Sequence, residues 1–443
     1  MLRWIRAAAG SCALACAAAA GGPLQAQVPA AVPAQHPGTA LTIYLATFGP
    51  GDRVWEKFGH NAIWIHDAGT GSTTSYNYGM FDFAQPGFVP RLIRGSMLYR
   101  MDVRSADEEL AAYRHYNRQV TAQRLSLSDE QKHQLREFLE WNWLPDNREY
   151  LYDYFRDNCS TRVRDALDRV LNGALQQQLA SIATAQTWRS HSLRLTAGSI
   201  PTYTGLLLGL GMPSDRPLSA WEEGFIPMNL MDRIRAIEVP DGRGGTMPLV
   251  ADEQVLFEAD REPLSDQAPA RTPAYLLAGL LTAAGLLALA RNAGTSVTAA
   301  DRHRTTAFAL AAALSCWGVV TGFFGSLLAG LWLFTDHTAA YPNLNLLQVN
   351  PLGFVLAVAG PLAVAGAAAL PYGGVSAALR VARVVAWSIA LLAVGGLLLR
   401  LLPGLHQASG PIIAFAVPVH LSAVASLYLI LRGRRESVAP TLP

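Results

Sequence analysis

Cysteine is scarce in this sequence, which has only four in 443 residues. Cys12 and Cys16 lie in an apolar leader, and Cys316 lies in a long apolar run near the other end. Cys159 is the single cysteine between residues 27 and 272, which excludes a disulfide framework there. A leftover thiol in an exported domain indicates a reactive or intermolecular role. We expect Cys159 to be a nucleophile, and the alternative is a small buried hydrophobic side chain.

Metal and nucleotide signatures are also missing. The cysteines and histidines show neither Cys-x-x-Cys nor His-Glu-x-x-His spacing, and there is no phosphate-binding glycine loop. The formal net charge is +2, and no basic stripe is interleaved with aromatic residues in the way that nucleic-acid binding requires. The sequence therefore predicts a protein with no metal, no cofactor and no nucleic-acid partner.

Long apolar runs are abundant, and they are concentrated after residue 274. Five of them are near or above the length that crosses about 30 Å of hydrocarbon. They lie at about residues 274–290, 307–334, 352–370, 382–402 and 411–431. We expect these runs to form five transmembrane helices.

Arginines indicate the orientation of these helices. They lie in the loops after the first and third runs and behind the fifth, namely Arg291, Arg302, Arg304, Arg380, Arg383, Arg432, Arg434 and Arg435. The loop at residues 335–352 contains no lysine or arginine. Because positive loops stay in the cytoplasm, the tail is predicted to be cytoplasmic and everything before residue 274 to be outside.

The N-terminus agrees with this topology. Arg3 and Arg6 precede an apolar run at residues 7–20, and small residues lead to a cleavage point after Ala26, which is typical of a secretory signal peptide. An uncleaved anchor is the alternative and leaves the following domain on the same side. The predicted organisation is a signal peptide at 1–26, a flexible Pro- and Ala-rich lead-in at 27–40, an external domain at 41–272, a membrane domain at 273–435 and a tail at 436–443.

The external domain has strand and helix patterns typical of an α+β fold. Strands are predicted at 41–48, 58–66, 74–79, 98–103 and 254–258, and helices at 105–117 and 128–142. The pattern is weaker between 174 and 253. Helices are expected there near 176–190 and 219–237, and loops at 200–203 and 209–217. The apolar residues 206–210 are either part of the core or a segment that dips into the membrane.

A further helix is predicted to begin at Cys159 and to end at Gly173. A thiol in the first turn of a helix meets the positive end of the macrodipole and free backbone N–H groups, which lower its pKa and can hold an oxyanion. Asn158 is either the N-cap of this helix or an additional oxyanion donor. Ser160 is a further candidate for an oxyanion or orienting role.

A cysteine nucleophile requires a base, and the base requires an orienting group on its second nitrogen. His60 is the best candidate base because it begins a predicted strand directly after a glycine. Asn77 lies on the next strand and is the candidate orienting group, although its alternative role is to bond a turn. Tyr78, His66 or a backbone carbonyl could orient His60 instead. His66 lies far along the same strand, so at most one of the two histidines meets the thiol.

Several short motifs resemble the Lnb family of bacterial lipoprotein N-acyltransferases. They occur in the family's order at residues 58–62, 76–83, 95–99, 157–161, 221–227, 336–338 and 343–351. The arrangement is also similar to permuted papain-like folds such as the lecithin:retinol acyltransferase group. The resemblance implies a permuted papain-like periplasmic domain fused to five transmembrane helices in the bacterial inner membrane.

The resemblance also implies a thiol-dependent acyltransferase. Cys159 attacks a phospholipid ester, His60 moves the protons, and the acyl chain passes from a thioester to the amino group of a diacylglyceryl-cysteine apolipoprotein. Phospholipid and apolipoprotein are thus the expected partners. Four cationic or titratable residues are candidate lipid contacts, namely Arg53, Arg91, Arg94 and His337.

Two other functions fit the same residues. One keeps Cys159 and His60 but makes the domain an amidase or peptidase that acts on cell-wall peptide. The other is a membrane scaffold that binds lipoproteins or lipid without catalysis.

Overall fold

The computed structural model describes residues 36–82, 84–294, 300–369 and 376–438. The predicted signal peptide, most of the lead-in and the last residues of the predicted tail lie outside these ranges. The predicted domain boundaries therefore stay predictions.

Strands are confined to the N-terminal domain in the described part of the chain. They are β1 (Leu41–Phe48), β2 (His60–Asp67), β3 (Ser72–Met80), β4 (Leu98–Ser105), β5 (Val120–Leu125), β6 (Glu149–Leu151), β7 (Ala183–Thr187), β8 (Pro217–Ser219), β9 (Glu238–Pro240), β10 (Thr246–Pro248) and β11 (Val250–Phe257). Seven strands form one antiparallel sheet in the order β11-β5-β1-β2-β3-β4-β6. The sheet and the helices beside it make an α+β domain, as the sequence predicts.

Nine helices of this domain lie in the described residues. They are α1 (Phe88–Arg94), α2 (Ala106–His115), α3 (Asp129–Trp143), α4 (Cys159–Val170), α5 (Ala174–Leu179), α6 (Trp188–Leu195), α7 (Ile200–Gly209), α8 (Ala220–Glu223) and α9 (Pro227–Ile234). Alternate side chains of the sheet face opposite sides. Ile63 and Ile65 pack in the core with α3 and α4, whereas Ala62 and Trp64 pack towards α2.

The predictions between residues 174 and 253 were partly wrong. The expected helix at 176–190 is α5, β7 and the start of α6, because β7 is extended and pairs with β8. The expected helix at 219–237 is broken because Ile226, which precedes Pro227, is extended. The expected loop at 200–203 opens α7, since a proline is tolerated in a first helical turn. Strand β5 was not predicted.

The C-terminal part contains the apolar helices α10 (Thr272–Gly294), α11 (Ala300–Phe334), α12 (Leu352–Ala369), α13 (Ala377–Leu399) and α14 (Gly410–Val438). Among the described residues, five segments are long and apolar enough to cross a membrane; four lie within α10, α11, α13 and α14, and the fifth, Leu344–Gly366, includes most of α12. The five predicted runs are therefore confirmed.

Polar side chains of the membrane domain cap the end of α7. Asn343 Nδ2 donates to the carbonyls of Leu208 and Gly209 at 3.0 and 3.1 Å. Asn345 Nδ2 donates to Leu207 and Leu208 at 3.1 and 2.9 Å. Both asparagines are buried. These bonds satisfy carbonyls that a helix end leaves without partners, and they join the two domains.

Apolar contacts reinforce this joint. Leu207 and Leu208 pack in one buried cluster with Leu328 of α11, Val349 and Ile412 of α14. The apolar segment at 206–210 therefore lies in a core shared by the two domains.

Candidate active site

Cys159 is the first residue of α4, and Asn158 caps the helix. The Asn158 side-chain oxygen accepts hydrogen bonds from the Ser160 and Thr161 amides, each at 2.9 Å. Its Nδ2 group donates to the carbonyls of Tyr154 and Phe225 at 3.0 and 2.9 Å. The side-chain oxygen of Asn158 is thus the cap of α4, and both hydrogens of Nδ2 are used by the two carbonyls.

The segment at residues 221–227 holds the start of α4. The Ser160 hydroxyl donates to the Gly224 carbonyl at 2.6 Å and accepts from Asn61 Nδ2 at 3.0 Å. Arg164 Nη1 donates to the Trp221 carbonyl at 2.7 Å. The motif at 221–227 and the motif at 58–62 therefore contact the helix that carries the thiol.

The Cys159 thiol is half-buried and lies where the pairing of β2 with β3 ends, at Ala62 and Asn77. A Cβ added to Gly79 would lie 3.0 Å from Cys159 Cβ, so α4 reaches β3 only because residue 79 has no side chain. Burial raises the pKa of the thiol to about 11, and backbone N–H bonds from Asn61, Ser160 and Cys159 partly offset this. Of these, the Asn61 and Cys159 amides are the candidate donors to an oxyanion, because the Ser160 amide already donates to the Asn158 cap.

His60 precedes Asn61, and its Nε2 lies 2.8 Å from Asn77 Oδ1. Asn77 Nδ2 donates to the Ser75 hydroxyl at 2.9 Å, so Oδ1 is the acceptor for Nε2–H and the Nδ1 lone pair is left free. The imidazole stacks on Phe48 with ring centroids 5.8 Å apart. Burial lowers the pKa of His60 to about 4, against the opposing effect of the Asn77 bond. The ring is therefore neutral at pH 7.

His60 and Cys159 approach from different sides of the sheet. Residues 60, 62 and 64 of β2 share the side packed by α2, whereas α4 packs on the other side. The Asn61 amide, directly after His60, hydrogen-bonds the Cys159 thiol, so the two candidate residues lie at the same end of β2.

A series of hydrogen bonds leads from His60 through Asn77 and Ser75 to a buried carboxyl group, that of Glu109. The Ser75 hydroxyl donates to Glu109 Oε2 at 2.5 Å, and Trp64 Nε1 donates to the same oxygen at 3.0 Å. Burial raises the pKa of Glu109. Sequence reasoning missed this residue, because a glutamate in an amphipathic helix pattern carries no local sign of burial.

Arg118 was also missed. This buried residue donates from Nε to the Gly49 carbonyl at 2.9 Å and lies over the Tyr113 ring at 4.6 Å. Its Nη2 is buried and has no hydrogen-bond partner among the described residues. The Arg118 charge lowers the pKa values of both His60 and Cys159.

Aromatic side chains pack near the thiol. Tyr99, Tyr150 and Tyr152 belong to the same apolar cluster as Cys159. Tyr99 and Tyr152 stack with centroids 3.9 Å apart, and Phe81 packs on Tyr99 at 5.3 Å. The apolar lining suits a hydrophobic chain.

Two other candidates lie away from His60. The Tyr78 hydroxyl donates to Asn142 Oδ1 at 2.7 Å, and His66 Nδ1 lies 3.1 Å from the Thr73 hydroxyl. Neither bonds His60. Within the described ranges, no group of three His, Cys, Asp or Glu side chains could hold a metal ion.

The candidate lipid contacts fall in two places. Arg91, Arg94 and His337 come together, since the His337 ring abuts Gly95 at the end of α1. Arg53 lies in the loop between β1 and β2, with its guanidinium 5.7 Å from the Trp55 ring.

Two family models match this sequence. The Lnb N-terminal periplasmic domain matches residues 30–194, and the Lnb transmembrane domain matches residues 284–402. Together they cover more than half of the chain. The chain belongs to the Lnb family. No curated protein and no solved structure matches it.

Membership of the Lnb family establishes where the protein is located and how it is arranged in the membrane. The protein is a multi-pass membrane protein whose N-terminal domain is periplasmic. Membership indicates a membrane protein that modifies lipoproteins. His60, Asn77 and Cys159 all lie inside the match to the periplasmic domain, whereas residues 221–227, which hold α4, lie outside both matches.

We expect Gly79→Ala to disturb the thiol. Its φ of +84° is strained for alanine, at a cost of roughly 1–2 kcal/mol, and the new methyl group meets Cys159. Gly71→Ala is the matched control, because Gly71 has a φ of +73° and open space around it. Both variants should lower the melting temperature, but only Gly79→Ala should change the rate at which iodoacetamide alkylates Cys159, followed by peptide mass spectrometry. Equal rates in the two variants would contradict the close approach.

Glu109→Ala should destabilise the domain markedly. It leaves the buried donors of Ser75 and Trp64 without an acceptor, and each such group costs on the order of 1–3 kcal/mol. Glu108→Ala, on the exposed side of the same helix, is the control. Melting curves in detergent test this, and similar curves for both variants would refute a structural role for the buried carboxylate.

Proposed function

We propose that this protein is a lipoprotein N-acyltransferase that carries an acyl chain on Cys159. The observation that supports it most is a half-buried thiol at an amide-lined helix start, beside the His60–Asn77 pair, in a domain joined to five membrane-spanning helices. The donor is a membrane phospholipid, and the acceptor is the amino group of a diacylglyceryl-cysteine lipoprotein.

In the first half-reaction, His60 Nδ1 accepts the thiol proton while Sγ attacks the carbonyl carbon of a phospholipid ester. The negative oxygen of the tetrahedral intermediate accepts from the backbone amides near Sγ. The C–O bond then breaks, and His60 returns the proton to the leaving alkoxide. The products are a Cys159 thioester and a lysophospholipid.

In the second half-reaction, the lipoprotein amine attacks the thioester carbonyl. His60 takes a proton from the attacking nitrogen and delivers it to Sγ as the C–S bond breaks. The product is an amide, and the enzyme returns to its starting protonation state. Asn77 keeps the imidazole oriented throughout, and Glu109 positions Asn77 through Ser75.

The protonation states support a neutral resting pair. Burial raises the pKa of Cys159 to about 11 and lowers that of His60 to about 4, so the thiol and the imidazole are both uncharged at pH 7. A neutral imidazole is the form that can accept a proton. Proton transfer must therefore accompany the attack on the ester.

Membrane attachment supports lipid substrates over soluble ones. A lipid donor and a lipid-anchored acceptor are both confined to the surface beside the domain, which raises their effective concentration at the thiol. A water-soluble substrate would gain nothing from five spanning helices.

The thioester is the first thing to detect. Wild-type protein incubated with phospholipid vesicles should gain an acyl mass that hydroxylamine removes, and Cys159→Ala should gain none. Cys316→Ala, which removes a cysteine within a membrane helix, should behave as wild type. His60→Ala should slow adduct formation by roughly 100-fold or more, because a general base contributes that much.

The outcomes separate the competing functions. An adduct that persists in Cys159→Ala would reject this mechanism. Absence of any adduct, with Cys159-dependent cleavage of cell-wall peptide, would favour an amidase or peptidase. Unchanged lipoprotein maturation in cells that carry Cys159→Ala would favour a scaffold.

The pH dependence follows from His60. Because its pKa is lowered to about 4, the base stays neutral as the pH falls from 8 to 5 and is protonated only near pH 4. The rate of thioester formation should therefore hold between pH 8 and 5 and fall below that range. A midpoint near 6.5, the ordinary value for histidine, would show that His60 is not the buried base.

A further inference from the structure

The connection between β3 and β4 carries a short helix with an exposed apolar side. Val89, Leu92 and Ile93 of α1 follow the i, i+3, i+4 spacing of one helix face. Val89 is 60% exposed and Ile93 is 61% exposed, and Leu92 is also exposed. Three large apolar side chains on a seven-residue helix indicate a surface that another apolar phase covers.

This helix lies beside the external end of a membrane-spanning helix. The Asp336 amide donates to the Arg94 carbonyl at 2.7 Å, and His337 Nε2–H donates to the Leu92 carbonyl at 3.2 Å. Asp336 lies just after the end of α11 at Phe334, which is also where the candidate span ends. These contacts place α1 beside the apolar external end of α11, where Leu333 and Phe334 are both exposed.

The charges of α1 match a phospholipid surface. The Arg91 side chain folds back onto the carbonyls of Pro86 and Ser96 at 3.3 and 3.4 Å. Arg94 is exposed, and its guanidinium makes no hydrogen bond or ion pair with any described residue. An apolar face with arginines beside it is the pattern of a helix that lies in the headgroup region.

We propose that α1 is an interfacial helix that inserts Val89, Leu92 and Ile93 into the outer leaflet of the bilayer, with Arg94 on the lipid phosphates. The occupant of this face is phospholipid. Its acyl chains meet the apolar residues, and its phosphate meets the exposed Arg94 guanidinium, so both parts of the surface are matched by one partner.

The position of α1 along the chain connects this contact to the thiol. Gly79, near the end of β3 and ahead of α1, lies against Cys159, and Tyr99 of β4 packs in the same apolar cluster as Cys159. Phe81 and Tyr152 pack on Tyr99. We expect a lipid held by α1 to reach Cys159 along these aromatic side chains. This delivery role rests on the proposed function, whereas the membrane contact does not.

A fluorescence experiment tests the contact alone. Ile93→Cys and Val255→Cys are made in full-length protein in which Cys12, Cys16, Cys159 and Cys316 are replaced by serine. Each is labelled with an environment-sensitive dye and reconstituted into vesicles of phosphatidylethanolamine and phosphatidylglycerol. Val255 is the matched control, since it is 55% exposed on β11, at the opposite edge of the sheet.

The dye at position 93 should emit at shorter wavelength and be quenched by lipids that carry a nitroxide near the headgroup. The dye at position 255 should show neither effect. Equal emission and equal quenching at the two positions would overturn the proposal, whatever the enzyme does.

A second measurement tests delivery. Ile93→Glu should slow acylation of Cys159 by bilayer phospholipid roughly tenfold or more, because a charge opposes insertion, and Val255→Glu should not. Acylation by a short-chain, water-soluble ester should be the same in both variants. An equal loss with both donors would mean that position 93 affects the site itself and would refute delivery. If wild-type protein is acylated by neither donor, the proposed function is refuted. The fluorescence result would still hold, because it does not depend on acylation.

Discussion

The capped start of α4 is the constraint on which the candidate site depends. A helix begins with free N–H groups, and here Asn158 takes two of them with its side-chain oxygen. Its amide nitrogen is bound in turn by two carbonyls, one of which comes from residue 225. Because the capping residue is hydrogen-bonded to the distant Phe225 carbonyl, the thiol next to it has a defined position relative to β2 and β3.

The sheet supplies the other half of this arrangement. His60, Asn77 and Ser75 lie on two paired strands, and Glu109 comes from a helix packed on the same side. His60 Nε2, both polar atoms of Asn77, the Ser75 hydroxyl and Glu109 Oε2 each have a partner, as buried polar groups require, and His60 Nδ1 is left for the thiol. The imidazole is therefore held by a network whose far end is a carboxylate in the core.

The sequence could predict those features that depend on residues close together along the chain. Cys159 and its cap lie side by side, five apolar runs have a length that the bilayer dictates, and the strand that begins near His60 shows its alternation directly. Glu109 and Arg118 were not predicted as site residues, because they come close to the site only when strands that are far apart in sequence pair. The first residues of α7 were predicted as a loop, because proline breaks a helix interior, but Pro201 lies in the first turn, where it is tolerated. The expected acyl-transfer reaction came from the resemblance to the Lnb family, because the spacing of residues alone does not predict a reaction.

The joint between the two domains has a consequence for substrate geometry. Its asparagines are buried and bond backbone carbonyls rather than mobile side chains, so the periplasmic domain cannot rotate against the membrane domain without leaving the Leu208 and Gly209 carbonyls without these partners. The position of Cys159 relative to the membrane helices is then fixed by the fold. Under the proposed function, a membrane-anchored acceptor must bring its amino group to that position, so acceptors are selected by how far this group extends from the bilayer.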